Sequence, residues 1–312
     1  SNNTEIGIAK YITAELEPGH EIFIVEMGAY KKGEIKAICD LVKPKIGMIT
    51  GIDEQHIELF GSLENTMRAK YELIENLPPD ATVIVNGNNS HCLEMAKRAK
   101  KQQKNVLIYR TAKDVSNIKV FRDHLEFDFV AENKKYPLKV NLLGAQNIEN
   151  VLGAILVAQE LKMDMESIRR GVSKIKPADK TMKLGKSHSG LNLVDDTFNA
   201  NPSGVLSALS YMKLYKGEKI LVLTPLIELG EKGSDIHQKL GKTAASICDL
   251  ILLTNPNYQE AICYGISQGG GDPKKVQVVN KAEAAEIINK ITDDDSVVVF
   301  EGKEAGKIIN DI

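Results

Sequence analysis

Glu26 and His56 have the side-chain types that hold a divalent cation. Glu26 ends the apolar run IFIV, and His56 lies just after the predicted strand KIGMITGI (45–52), so both are predicted near strand ends. In open parallel sheets, ligands collect beyond the carboxyl ends of the strands. A carboxylate and an imidazole there could bind Mg2+, which often takes only one or two protein ligands. The alternative is an ordinary Glu–His pair on the surface.

Lys70 lies in the apolar face of a predicted helix. Ser62 is a suitable N-cap, so the helix is predicted to begin near Leu63. Apolar side chains recur around Lys70 at the spacing of one helical face: Leu63, Met67, Ile74 and Leu77. An ammonium in such a face either extends from its edge to water or has a function.

The segment VDDTFNANPSG (194–204) is rich in groups that bind polar ligands. Asp195 and Asp196 could bind a ribose or a cation, and Asn199 and Asn201 offer amide donors and acceptors. The alternative is an Asx-rich turn from a strand into a helix, with Pro202 near the helix start.

Alternating β-rich and helical stretches must position these residues. This alternation predicts an α/β fold with two doubly wound domains. The first has a mostly parallel sheet with an antiparallel hairpin or meander at 118–142, and the second is a smaller Rossmann-like domain after the boundary segment KPADKTMK. The first series of strands is predicted at 21–28, 45–52, 81–87 and 105–111. The second series is predicted at 191–198, 219–225, 250–255, 276–280 and 296–302.

Two other stretches between these strands are assigned from their composition. Helices are predicted at 147–162 and 165–175. The segment GISQGGGDPKK (265–275) is predicted to be a mobile surface loop, because its glycines lack the following helix of a cofactor fingerprint.

Composition excludes several classes of protein. The chain has 312 residues, enough for two domains, with 43% hydrophobic residues and a formal net charge of -2. It has no basic excess for nucleic acid and no apolar run near the roughly 18 residues of a membrane span. The first residues lack a secretory signal, so we expect a cytoplasmic protein, and a monomer. The cysteines are far apart and predict neither a disulfide nor a metal site: Cys39, Cys92, Cys248 and Cys263.

Several segments, in chain order, resemble the Mur ligase family. They are NNTEIGIA, VEMGAYKKGEI, TGIDEQHIELFGS, AKYELIENL, GAQNIENVLGA, DDTFNANPSG and IELGEKGSDIH. The resemblance is closest to the branch that adds D-alanyl-D-alanine to a UDP-N-acetylmuramoyl-tripeptide in peptidoglycan-precursor synthesis. It implies an ATP-dependent ligase that works through an acyl phosphate, with ATP and Mg2+ as cofactors and those two compounds as substrates.

The resemblance also implies roles for the residues above. Glu26 and His56 would help to hold Mg2+, and Lys70 would be the carbamylated lysine of the family. Carbamylation replaces a cation by an anion, which a nearby Mg2+ would stabilise. His56 and Lys70 are therefore the expected catalytic residues.

Nucleotide and substrate roles follow from the same resemblance. The segment with Asp195, Asp196, Asn199 and Asn201 would supply the second domain's part of the nucleotide site, and would close over the central domain. Asn147 and Asn150 resemble asparagines near the adenine, although Gln146 stands where a histidine is usual and a helix cap would also explain Asn147. Glu228 and His237 resemble a motif near the incoming amine, with a loop acid and a solvated helix histidine as the alternative.

Departures from the family leave other functions open. The chain has no GxxGK[ST] phosphate-binding loop. Residues 1–180 are therefore expected to form a partial central domain, and residues 181–312 the C-terminal domain. The chain alone is expected to be inactive. NGNNSH (86–91) has asparagines where acids are usual, PADKTM lacks the linker arginine, and FEGKEAGK only loosely matches the terminal Lys-Gly-Ser motif. The alternatives are a sister ligase, cyanophycin-synthetase-like or folylpolyglutamate-synthase-like, and a non-catalytic binding protein.

Overall fold

Two compact units form the part of the chain that the computed structural model describes, residues 3–53 and 60–312. One unit contains Ser1–Asp114 and Glu149–Ile168, and the other contains Val115–Ile148 and Arg169–Ile312. The predicted α/β class, with parallel sheets and an antiparallel extension, is confirmed. The predicted boundary between 180 and 181 stays a prediction. Within the described ranges, no helix is long and apolar enough to cross a membrane.

The first unit is built on a parallel three-stranded sheet of order β1-β2-β3. Its strands are β1 (Ile46–Ile49), β2 (Thr82–Asn86) and β3 (Asn105–Tyr109). Its helices are α1 (Glu5–Glu15), α2 (Glu34–Val42), α3 (Leu63–Glu75), α4 (Ser90–Lys101) and the short α5 (Thr111–Asp114). The later helices α6 (Asn147–Glu160) and α7 (Met165–Ser173) also match the predicted helices.

The predicted strand at 21–28 is wrong. These residues form no strand in the structure, and Ile22 and Ile24 are exposed. An apolar run becomes a strand only where a neighbour supplies ladder hydrogen bonds, and none of the described strands pairs with it. The segment is held instead by the Gly28 N–H, which donates to Asn3 O at 2.8 Å, and by Phe23, whose ring stacks on Tyr11.

The second unit contains an antiparallel meander and a six-stranded sheet. The meander is β4 (Val115–Val120), β5 (Leu125–Ala131) and β6 (Lys134–Val140), as the alternating pattern predicted. The larger sheet contains β7 (Lys183–Lys186), β8 (Asn192–Asp196), β9 (Lys219–Leu223), β10 (Leu250–Leu253), β11 (Val276–Val278) and β12 (Val297–Glu301). Its order is β11-β10-β9-β12-β8-β7, with only the β7–β8 pair antiparallel. The helices are α8 (Pro202–Met212), α9 (Gly233–Ala244), α10 (Gln259–Gln268), α11 (Lys281–Asn289) and α12 (Lys303–Gly306).

Both faces of the larger sheet are buried, which explains the continuous apolar runs of its strands. Val297 and Val299 pack into the core cluster on one face, and Val298 and Phe300 pack into the cluster on the other face. A doubly wound arrangement places the polar residues at the ends of the strands, where ligands collect.

The prediction of a mobile loop at 265–275 is wrong for its first residues. Helix α10 continues to Gln268, and Gly265 lies in close contact with α9. A Cβ on Gly265 would collide with the Gln238 carbonyl oxygen and lie 2.9 Å from the Lys242 nitrogen. Gly265 therefore serves helix packing, a role that a search of the sequence for turns and cofactor loops does not detect.

Substituting Gly265 by alanine is expected to destabilise the second unit. A methyl group has no room at this helix crossing, and overpacking of this kind costs about 1–3 kcal/mol. Gly171→Ala is the matched control, because Gly171 is also helical and has nothing within 4 Å of an added Cβ. There we expect no loss, or a gain of about 0.4–1 kcal/mol. Urea unfolding measures both, and equal effects would refute the packing argument.

Candidate functional site

Lys70 lies beside the chain segment that follows β1. The Ser62 hydroxyl accepts from Asn65 N at 3.1 Å and begins α3 at Leu63, as predicted. Ile74 is fully buried, whereas Lys70 is half-buried and its Nζ is 3.4 Å from Gly51 O. No carboxylate among residues 3–53 and 60–312 forms an ion pair with Lys70. The side chain thus ends at the edge of the sheet where ligands collect.

Two asparagines hold this edge of the first unit. Asn86, at the end of β2, is buried and donates from Nδ2 to Thr50 O at 2.8 Å and to Glu149 Oε2 at 2.7 Å. Asn89 caps α4 and donates to Ile52 O at 2.9 Å. They stand in NGNNSH, where the family usually has acids, and they fix the backbone that carries Gly51. The sequence alone does not predict these contacts.

Glu26 and Lys70, two of the predicted metal ligands, form no hydrogen bond or ion pair with each other among the described residues. Glu26 is exposed. His56 lies outside the described residues. Among the described residues, no group of three His, Cys, Asp or Glu side chains could hold a metal. The roles of Glu26, His56 and Lys70 as metal site stay a prediction.

Glu72 is a structural residue of α3 that sequence reasoning missed. It is buried, and its carboxylate accepts from Gly33 N at 2.7 Å and from Lys36 N at 3.2 Å. These amides belong to the first turn of α2, where a negative charge satisfies unpaired N–H groups and the helix dipole. The sequence around Glu72 gives no sign that its carboxylate caps α2, because the capped amides lie 39 and 36 residues earlier in the chain.

Replacing Glu72 by alanine should weaken the first unit. The change leaves two amide donors without their charged acceptor, so we expect a loss of about 1.5–3 kcal/mol in the free energy of unfolding. Glu75→Ala on the same helix is the control, because its pair with Arg98 is half-exposed and contributes about 0–1 kcal/mol. Thermal unfolding with amide exchange of α2 tests this. Unchanged protection of α2 would contradict the capping role.

The Asp195–Asn201 segment forms the predicted strand-to-helix turn. Asp195 Oδ1 accepts from Thr197 N at 3.2 Å and from Thr197 Oγ1 at 2.6 Å. Asp196 Oδ1 accepts from Met182 N at 3.1 Å. Asn201 caps α8 by accepting from Gly204 N at 2.9 Å, with Pro202 in the first turn, and Asn199 is exposed. The turn interpretation is therefore confirmed, and nucleotide binding by the same residues stays a prediction.

The predicted adenine residues lie at the start of α6. Asn147 is its first residue and donates from Nδ2 to Leu143 O at 2.8 Å. Asn150 is exposed, one turn further along the helix. Both positions agree with a helix start, and their role toward a nucleotide stays a prediction.

His237 is buried, so the alternative of a solvated helix histidine is wrong. Its ring is 0% exposed, stacks on Tyr258, and its Nε2 accepts from Leu226 N at 3.0 Å. Nδ1 lies 2.7 Å from Gly233 O and donates to it in the neutral tautomer that this pairing requires. Burial lowers the pKa of His237. His237 thus fixes the loop that carries Glu228, which is half-buried with a left-handed φ of 62°.

Comparison with known proteins places the chain in a family. The profile described as Mur ligase middle domain matches residues 1–158, and the one described as Mur ligase, glutamate ligase domain matches residues 182–303. A UDP-N-acetylmuramoyl-tripeptide–D-alanyl-D-alanine ligase of Synechocystis is 33% identical over 266 residues, which are 84% of this chain and 56% of that protein. The Buchnera aphidicola (Acyrthosiphon pisum) ligase of the same name is 31% identical over 250 residues, 78% of this chain and 54% of that protein.

Solved structures share the fold. MurF from Acinetobacter baumannii matches with a TM-score of 0.88 and 23% identity, covering 100% of this chain and 68% of that one. MurF from Thermotoga maritima in complex with ADP matches with a TM-score of 0.83 and 19% identity, covering 97% and 69%. The chain spans about half the length of the curated relatives. Since the middle-domain profile alone matches half of the residues, this chain belongs to the Mur ligase family.

Proposed function

We propose that this chain acts in an ATP-dependent ligase that joins D-alanyl-D-alanine to a UDP-N-acetylmuramoyl-tripeptide. The observation that carries the proposal is the match, over 250 and 266 residues, to two relatives that bear this name. In such a reaction the γ-phosphoryl group of ATP passes to the substrate carboxylate, and the amine then attacks the acyl phosphate. We also propose a cytoplasmic monomer, as expected from the sequence.

Lys70 is proposed to act at the phosphoryl-transfer step after carbamylation. Its Nζ lies at the ligand-collecting edge, and no described carboxylate within ion-pair distance would repel a carbamate there. We propose that an anionic Lys70, together with Glu26 and His56, would hold Mg2+. When bound, Mg2+ would neutralise charge on the transferred phosphoryl group. Asn86 and Asn89 would keep the Gly51 backbone in place for this purpose.

The polar edge of the second unit is proposed to bind the nucleotide and the amine. The 195–201 segment is held by its own Asx turn and helix cap, so the exposed Asn199 is presented on a fixed backbone. Asp195, Asp196 and Asn201 would act with it, as would Asn147 and Asn150. We propose that Glu228 meets the amine substrate and that His237 positions the Glu228 loop, because both ring nitrogens already bond to backbone.

An amine panel tests the proposal. The complete gene product is incubated with ATP, Mg2+ and UDP-N-acetylmuramoyl-tripeptide, and ADP release is followed with D-alanyl-D-alanine, D-alanine, L-glutamate or an aspartate–arginine dipeptide. We expect release that depends on D-alanyl-D-alanine. Release that depends on L-glutamate or on the dipeptide instead would favour a sister ligase. Absence of release with every amine would overturn the proposed activity and favour a binding protein.

A further inference from the structure

Two carboxyl groups meet at the polar edge of the six-stranded sheet. Glu301 ends β12 and Asp196 ends β8, and the two residues are paired in register across these parallel strands. Register partners point to the same face of a sheet, so these two side chains are neighbours on one face. Glu301 is 0% exposed, and Asp196 is half-buried.

The surroundings of Glu301 provide no donor. Within the described ranges, no N–H or O–H group donates a hydrogen bond to either of its carboxylate oxygens. Asp196 Oδ1 accepts from the backbone N–H of Met182 at 3.1 Å. Two ionised carboxylates buried side by side would therefore lack both hydration and a neighbouring cation or donor that offsets their negative charge.

The neighbouring charges do not compensate the pair. Asp195 adds a further negative charge next to Asp196. Lys183, on β7, attracts Asp195 electrostatically, but its ammonium forms an ion pair with Asp179 at 2.8 Å. Thr224 follows β9, and its hydroxyl accepts from Ala305 N at 3.0 Å and does not donate to Glu301. Burial, followed by the charge of Asp196, raises the pKa of Glu301 well above its usual range, and burial also raises the pKa of Asp196.

We propose that Glu301 is a positioning residue that keeps its proton at neutral pH and donates it in a hydrogen bond to Asp196. Asp196 is then held from two sides, by Glu301 and by Met182 N. The carboxyl pair thereby joins the end of β12, the end of β8 and the segment at Met182. No other described group can supply the hydrogen that this contact needs.

The residues that follow Glu301 pack against the turn that carries Asn199 and Asn201. Gly302, which follows Glu301 with φ 88°, would place a Cβ 3.6 Å from Ala200 Cβ, and Gly306 would place one 2.8 Å from Thr197 Oγ1. The 197–201 turn thus packs closely on the residues that follow β12. The inference rests on the proposed function in one respect, that this turn serves the nucleotide site.

The first test asks whether Glu301 holds a proton. Infrared spectra of the wild type near neutral pH should show the carbonyl stretch of a protonated carboxylic acid, and Glu301→Gln should lack it. Glu304→Gln, at an exposed position paired with Lys307, is the control and should keep the band. A wild type without the band, or a band that persists in Glu301→Gln, would overturn the proposal.

The second test uses the pH dependence of thermal unfolding. A carboxyl whose pKa is raised in the folded state stabilises fully below its unfolded pKa, about 4.3, and this contribution is lost as the pH rises through the folded pKa. The wild type should therefore lose melting temperature relative to Glu301→Gln as the pH rises above about 4.3. The amide still donates to Asp196, so the variant should fold. Identical pH profiles would overturn the proposal.

Nucleotide affinity separates positioning from mere stability. ADP titrated at neutral pH into the complete gene product should bind the Glu301→Gln variant like the wild type and the Glu301→Ala variant about tenfold more weakly, as for one lost charge-assisted hydrogen bond. If Glu301→Gln binds ADP as weakly as Glu301→Ala, the glutamine amide does not replace the proposed hydrogen bond, which would contradict the proposal. Absence of ADP binding by the wild type would overturn the proposed function alone, since the spectra and the melting profiles need no nucleotide.

Discussion

Replacing Lys70 by alanine is expected to abolish ligation in the complete gene product. The change removes the half-buried amine that lies beside Gly51, at the edge where phosphoryl transfer is proposed. Removing a preorganised charge-stabilising group costs on the order of 10²–10³ in turnover, and loss of the metal-binding carbamate should reach or exceed that range. The rate of ADP release with saturating D-alanyl-D-alanine measures the effect.

Chemical rescue distinguishes the carbamate from a structural lysine. Acetate or formate added to Lys70→Ala should restore part of the activity, because a small carboxylate can occupy the vacated anionic position. Lys97→Ala, at an exposed position of α4, should retain full activity. Full activity of Lys70→Ala, or an equal response of both variants to acetate, would contradict the role given to Lys70.

Replacing His237 by phenylalanine should be the most damaging single change to the second unit. Phenylalanine preserves the ring volume and the stack on Tyr258, but it leaves the buried Leu226 N–H without its acceptor and removes the ring's hydrogen bond to Gly233 O. An unsatisfied buried donor costs about 1–3 kcal/mol and a lost hydrogen bond about 0.5–1.5 kcal/mol, so we expect a loss of about 2–4 kcal/mol. Urea unfolding measures the loss. His188→Phe, on the exposed connection between β7 and β8, should change stability little.

The pH profile gives His237 an independent signature. Its folded pKa is lowered by burial, so its contribution is complete above the unfolded pKa of about 6.5 and is lost as the pH falls through the folded value. The wild type should lose stability below about pH 6.5 relative to His237→Phe. Parallel acid profiles for the two proteins would show that the ring is not held in its neutral form.

Patterning predicted the elements more completely than their contacts. The strands of the larger sheet and of the meander were located from the sequence. Burial on both faces gives a continuous apolar run, and burial on one face gives alternating apolar and polar residues. The run at 21–28 has such a pattern too and forms no strand, because pairing depends on a neighbour and not on the run itself. Gly265 was misread for a similar reason, since its function lies in the Gln238 backbone of another helix.

The site was predicted unevenly for the same physical reason. Local features were found: the Ser62 cap, the half-buried Lys70 and the Asn201 turn all follow from spacing within a few residues. Long-range partners were missed. Glu72 accepts hydrogen bonds from amides at Gly33 and Lys36, far away in sequence, and Glu301 meets Asp196 only across neighbouring strands.

The most direct test of the proposed ligase is a two-substrate dependence of ADP release. The complete gene product is assayed with ATP and Mg2+, with UDP-N-acetylmuramoyl-tripeptide and D-alanyl-D-alanine added separately and together. We predict ADP release only with both substrates, in equal amount to the UDP-N-acetylmuramoyl-pentapeptide formed. ADP release that needs neither substrate, or none when both are present, would contradict the assignment of this chain to D-alanyl-D-alanine ligation.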